Sequence, residues 1–188
     1  MVLGSALGAI LVLGGVTLLG LVAAIYNRLI FLKNQCEKSW HNIDVLLKQR
    51  HDEIPKLVAV CEGSTRFEKE TLQKVMEARA SAMGAPTVAA KARAEGELSS
   101  LLGRLFAVAE AYPELKSIQL FSQLQLRVSD LEGQISDRRE FYNDAATTYN
   151  TGIETFPNNL LTGPFGMKRR ELFKVAEAEK ADVQIKFN

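Results

Sequence analysis

The chain has 188 residues, 47% of them apolar and 24% charged, which suits one domain with an added segment and excludes a disordered polyelectrolyte. With 23 basic and 22 acidic side chains the net charge is +1, so no bulk charge calls for nucleic acid. Two cysteines and two histidines exclude a disulfide scaffold and a Cys/His zinc module, and five prolines exclude a Pro-rich linker protein.

No charged side chain occurs before Arg28. Residues 1–26 are Leu, Val, Ile and Ala interleaved with glycine, and as a helix they extend ~37 Å, enough to cross a hydrocarbon core of ~30 Å with some tilt. A cleaved signal peptide has a basic n-region, a shorter apolar run and a small-x-small site. This run fits a retained transmembrane anchor better, with Tyr26 at the interface. Arg28, Lys33 and Lys38 follow the span, so the positive-inside rule places the bulk of the protein in the cytoplasm. Gly4 and Gly8 form a small-xxx-small pair, read as the ordinary glycine content of a membrane helix.

Beyond the span, Leu29, Leu32, Cys36, Trp40, Ile43, Leu47, Ile54, Leu57 and Cys61 recur at steps of three, four and seven, one face of a helix continuous with the anchor. Asp44, Lys48 and Asp52 form a solvent-side ladder at i,i+4. Pro55 lacks an N–H and crowds the carbonyl of His51, so the helix kinks there or restarts on an Asp52 cap. The kink is favoured, because the apolar spacing carries on through Phe67, Leu72, Val75 and Ala78, with Gly63-Ser64-Thr65 as a weak point. Residues 83–87 (Met-Gly-Ala-Pro-Thr) are the first strong stop. A second helix is expected over 88–112, with Leu98, Leu101, Leu105 and Ala109 on one face.

Tyr112-Pro113-Glu114 breaks that helix and opens a third, since proline suits a first helical position and an acid the positive dipole end. Its seam runs Phe121, Leu124, Val128, Leu131, Ile135, Arg138, Tyr142, Ala145 and Tyr149, and Gly152 reads as its C-cap. Arg138 on the seam is either half-buried beside a carboxylate or snorkels past it. Phe156-Pro157 closes the bundle end, a short helical patch follows over 170–180, and residues 183–187 alternate like a strand.

The expected fold is therefore all-α. An N-terminal transmembrane helix (1–26) is continuous with a long antiparallel helical bundle (27–160), followed by a short helix and strand-like tail (161–188).

The chemical inventory is thin. His41 and His51 read as surface or interface side chains, and Cys36 and Cys61 as small core residues in a reducing compartment. Glu68, Glu70, Glu77, Asp130 and Glu132 read as solvated helix faces rather than acid/base pairs. Lys168-Arg169-Arg170 either meets anionic headgroups or begins a solvated helix. The sequence offers no phosphate loop, nucleophile elbow or HExxH, and no catalytic, cofactor or metal residue is assigned.

Several ordered blocks nevertheless resemble the LemA family. They are Tyr26-Asn27; Trp40, Ile43-Asp44-Val45, Leu47-Lys48, Arg50, Asp52, Ile54-Pro55 and Leu57-Val58; Glu70-Thr71-Leu72, Val75 and Ala78-Arg79; Tyr112-Pro113 and Leu115-Lys116; and Arg138-Arg139, Phe141 to Ala145, Tyr149-Asn150, Ile153 and Phe156-Pro157. Residues 166–188 match nothing in this pattern. The resemblance implies a bacterial single-pass membrane protein with a helical-bundle domain and no established enzymatic activity. One branch of the family is associated with making magnetosome membranes, and others are encoded near membrane proteins or envelope-stress proteases.

Asn143 and Asn150 lie off the seam, seven apart on one flank, and the block around them reads as packing and assembly chemistry. Taken together, the expectation is a scaffold of the bacterial inner membrane that self-assembles as a homo-oligomer, contacts the lipid bilayer and organises or shapes it. The alternatives are an adaptor for another membrane protein (an envelope protease or signalling kinase) and, behind it, an enzyme with an unrecognised site.

Overall fold

The computed structural model describes residues 2–63 and 68–174. They form six helices in order: α1 (Val2–Glu62), α2 (Lys69–Gly84), α3 (Val88–Ala109), α4 (Pro113–Lys116), α5 (Gln119–Glu154) and α6 (Asn159–Thr162). No strand occurs among the described residues. The described residues divide into two compact units, one made of 2–40 with Asp144–Arg170, the other of His41–Asn143 with 171–174. Both α1 and α5 contribute to each unit.

Helix α1 is one uninterrupted helix from the apolar segment into the bundle, as the spacing predicts. Every described side chain over residues 8–21 is exposed, Leu11 and Leu19 at 69% and 70%, and the stretch is long and apolar enough to cross a membrane. A soluble helix would bury such a face. Further along α1, the positions predicted as one stripe are buried at Leu29, Cys36, Ile43, Leu47, Ile54, Leu57 and Cys61.

In the first unit, Leu29 packs with Tyr149 and Ile153, flanked by Ile25, Leu32 and Met167. Gly152 is not a C-cap, because α5 continues to Glu154. A Cβ at that position would stand 3.1 Å from Leu32 Cδ1 and 3.4 Å from Leu29 Cδ2, so the missing side chain lets α5 lie close against α1.

The second unit has a continuous core. Ile54, Leu57 and Cys61 of α1 meet Leu72 and Val75 of α2, Leu98, Leu102 and Leu105 of α3, Leu115 of α4, and Phe121, Leu124 and Val128 of α5. Each large apolar side chain removed from water contributes about 1.5–3 kcal/mol against the entropy of ordering. Thr87 caps α3 by accepting a hydrogen bond from the Ala90 amide at 3.1 Å.

Four sequence expectations need correction here. The apolar spacing does not carry a single helix past Gly63; α1 ends at Glu62 and α2 starts afresh at Lys69. Pro113 opens only one turn, because Ile118 bonds back three residues to Leu115 and the Ser117 hydroxyl donates to the Glu114 carbonyl, competing with helical pairing. Phe156 does not close the bundle; it is 74% exposed. Residues 170–174 are not helical, and the remainder of the expected patch and the strand-like 183–187 fall outside the described residues.

The non-helical segment has a cause in the two asparagines. In the second unit the Asn143 amide accepts from Phe173 N–H (2.8 Å) and donates to its carbonyl (3.1 Å), while the Tyr142 hydroxyl donates to the Glu171 carbonyl (2.7 Å). In the first, Asn150 makes the same pair with Arg170, at 2.8 and 2.9 Å. Each side-chain amide stands in for a backbone peptide, so these residues satisfy their polar groups without a helix.

Candidate functional site

The most polar buried place in the second unit centres on Arg50. It lies on the stripe between Leu47 and Ile54 and is 1% exposed. A guanidinium there needs partners from every side, since an unpaired buried charge costs several kcal/mol. Two helices, α3 and α5, supply them. Nη2 pairs with Glu95 of α3, and Nη1 with Glu132 of α5. Nη1 also donates to Ser99 Oγ at 2.9 Å, whose hydroxyl in turn donates to Glu132 Oε2 at 2.9 Å. His51, also buried, sets Nε2 3.1 Å from Glu95 Oε1 and 3.3 Å from Oε2. The Arg50 Nε has no hydrogen-bond partner among the described residues.

One guanidinium thus holds two carboxylates from two helices. Its two Nη groups, fixed in one plane, each meet one oxygen of a different carboxylate, a divergent pair of contacts that the single ammonium of a lysine does not hold in the same geometry. The Ser99 hydroxyl is engaged as both donor and acceptor, so it is held as a bridge rather than poised for attack.

A second polar contact repairs the helix at Pro55. Proline leaves the His51 carbonyl without its usual amide four residues on. Arg79 of α2 fills the gap, donating from Nε to the His51 oxygen at 2.7 Å. That bond ties α2 to α1 and accounts for α1 passing through Pro55 unbroken.

The structure redistributes the residues that the sequence singled out. Of the two placements the sequence left open, surface or interface, His41 takes the first, and His51 is buried at the contact of α1 with α3 beside Glu95. Glu132 is drawn into the Arg50 cluster, whereas Glu68, Glu70, Glu77 and Asp130 are exposed. The hydrogen bond and charge of Lys74 lower the Glu70 pKa. Asp44 pairs across to Lys91 of α3 at 2.7 Å instead of forming the ladder with Lys48. Cys36 and Cys61 are core residues as expected, and burial, followed by the Glu62 carboxylate, pushes the Cys61 thiol up to about 11. Arg138 is exposed with its guanidinium 5.7 Å from the Phe141 ring centre, so the seam skips it; it also passes through Ala146 rather than Ala145. Arg50, Arg79, Glu95 and Ser99 carry no signal in a spacing read only for apolar residues. A pair of opposite charges on two apolar stripes, Arg50 after Leu47 and Glu95 before Leu98, would have marked the cluster.

With the geometry in hand, the chain can be set beside known proteins. The sequence profile of the LemA family matches residues 39–187. Magnetosome protein MamQ 1 and magnetosome protein MamQ 2 of Paramagnetospirillum magneticum are each 41% identical over 81 residues, 43% of this chain and 30% of theirs. Protein LemA of Metamycoplasma hominis is 27% identical over 158 residues, 84% of this chain and 72% of the relative. The aligned stretch thus spans under a third of the MamQ proteins' length.

Proposed function

The chain belongs to the LemA family, and on that premise we propose that it is a non-enzymatic, membrane-anchored scaffold whose copies associate and organise or shape the bacterial membrane. One observation carries the reading. The exposed apolar segment over residues 8–21 and the folded bundle share a single helix, so whatever the bundle does is done at a bilayer. The magnetosome names of two relatives fit work on an internal membrane. The closed pairing around Arg50 supports a structural role for the one buried charged cluster described above.

Orientation follows from the cations after the span. Arg28, Lys33 and Lys38 favour the cytoplasmic side, with the bulk of the protein inside the cell at the inner membrane. Self-association draws on Val45, Leu126 and Phe141, which the second unit leaves exposed; the seam of α5 is buried inside the fold and unavailable to a second copy.

The test is mass by light scattering of the full chain in mild detergent over a concentration series, with crosslinking in cells. Concentration-dependent oligomers and self-crosslinks are expected. A monomer at every concentration overturns the scaffold reading, and crosslinks to another membrane protein alone favour an adaptor.

A further inference from the structure

The first unit contains a cavity of about 320 Å³ that the scaffold reading leaves unexplained. Its position follows from the chain. Leaving the apolar segment, α1 presents Tyr26 and, seven residues on, Lys33, both lining the cavity. Seven helical residues rise ~10 Å, enough to carry Lys33 from the edge of the hydrocarbon across a headgroup layer about 5–8 Å deep. From the other side α5 runs down against Leu29 and Leu32 as far as Gly152. The chain then turns, Asn158 holding the Gly152 carbonyl at 2.9 Å, and brings the Phe165 ring to 4.7 Å from Tyr26. Gly166, at φ 61, takes a left-handed turn beside it that a side chain would strain, and starts the basic run along the cavity wall.

Charge and surface then point the same way. Lys33, Lys168, Arg169 and Arg170 line the cavity. Arg170 pairs with Glu37 at 2.5 Å, and Arg169 with Glu154 at 3.1 Å across an exposed contact. Lys33 and Lys168 have no ion-pair partner among the described residues, so the wall keeps an excess of positive charge. Next to it the turn leaves Phe156, Leu160 and Phe165 exposed, which costs free energy in water but suits the interface beside a spanning helix.

We propose that this cavity receives the phosphate of an anionic lipid headgroup, drawn from the same bilayer that holds α1, while Phe156, Leu160 and Phe165 enter the interface around it. The site rests on the membrane-anchored reading above and deepens it by naming the lipid partner. Lys33 and Lys168 attract the phosphate as point charges. Tyr26 stands at the lip with an apolar ring and a polar tip.

The test uses the full chain in neutral detergent, examined by native mass spectrometry with added phosphatidylglycerol, phosphatidylcholine or inorganic phosphate. Retention of one phosphatidylglycerol per chain is expected, with clear preference over phosphatidylcholine and no displacement by millimolar phosphate. The Lys33→Gln/Lys168→Gln variant should lose about fivefold in phosphatidylglycerol retention for each charge removed. Equal retention of the two lipids, or an unchanged double variant, overturns the site. Displacement by inorganic phosphate overturns the lipid source and assigns the cavity to the free ion. Alkaline carbonate extraction of cell membranes reads the anchor separately. A chain that stays in the pellet yet shows no lipid preference refutes the cavity alone; a chain that washes off refutes the anchor and the lipid site with it.

Discussion

The two units handle positive charge in opposite ways. Around Arg50 the guanidinium is buried and met by Glu95, Glu132 and Ser99, so the charge acts inward and fixes which helices meet. Around the cavity of the other unit, Lys33 and Lys168 line an open wall with no ion-pair partner among the described residues. A buried charge that lost its partner would be ruinous, whereas an open one loses little until something anionic arrives. The contrast separates what holds the bundle together from what the protein can offer to a surface.

The sharpest way to break that contrast is to remove Arg50. Arg50→Met strands Glu95 in the core, and a loss of about 3–5 kcal/mol is expected. Lys33→Gln and Lys168→Gln should each stay within about 0.5 kcal/mol. Urea unfolding of the purified chain, followed by circular dichroism, compares the three. A second variant sharpens the point: combining Arg50→Met with Glu95→Met leaves no fully buried charge, since Glu132 is 30% exposed and reaches water, and should regain much of the loss. If Arg50→Met alone unfolds at the wild-type midpoint, the inward-acting charge is not structural.

A smaller effect is expected at Pro55. Arg79→Met leaves the His51 carbonyl without a donor, at a cost of about 1–3 kcal/mol. The Pro55→Ala variant restores an amide four residues on, which can bond that carbonyl directly. In that background Arg79→Met should cost distinctly less. Equal costs in the two backgrounds would mean that Arg79 acts through packing and not through the bond to a helix carbonyl.

Much of this architecture is written in apolar spacing, and the exceptions have physical reasons. The stripe of α1 and the seam of α5 emerge because burial at steps of three and four needs no knowledge of the partner helix. The end of α1 at Glu62 is invisible to the same rule, since Phe67, Leu72 and Val75 keep the spacing across the break. Gly152 looks like a helix stop and is a close-approach site, a distinction that depends on Leu29 and Leu32 more than a hundred residues away. Asn143 and Asn150 stand out as polar residues flanking the seam, but their partners, the peptide groups of Phe173 and Arg170, leave no mark in side-chain identity. The Arg50 cluster fails to show for the same reason: its members lie 45 and 82 positions away along the chain. The basic run at 168–170 is legible as a cluster, and only the fold puts Lys33 beside it.

The mildest probe separates the dry core of the second unit from its surface. Cys61 lies in that core with its thiol raised from 9.0 to about 11, by burial and then by Glu62. The folded chain therefore holds this proton more tightly than the unfolded one. Its contribution to stability is fully present below pH 9 and is lost as pH rises toward 11, with a slope of at most ~1.4 kcal/mol per pH unit. Lysines and tyrosines titrate over the same window, so the useful quantity is the difference between wild type and Cys61→Ala in urea midpoint from pH 8.5 to 11. That difference should shift in the variant's favour as pH rises. Alkylation in a Cys36→Ala background gives the same information by rate: Cys61 should react slowly until the second unit opens, and faster in Arg50→Met, whose charge lock is gone. Fast alkylation of Cys61 in the folded wild-type unit at pH 8 would show that the core is open where the packing of Ile54, Leu57 and Leu72 closes it.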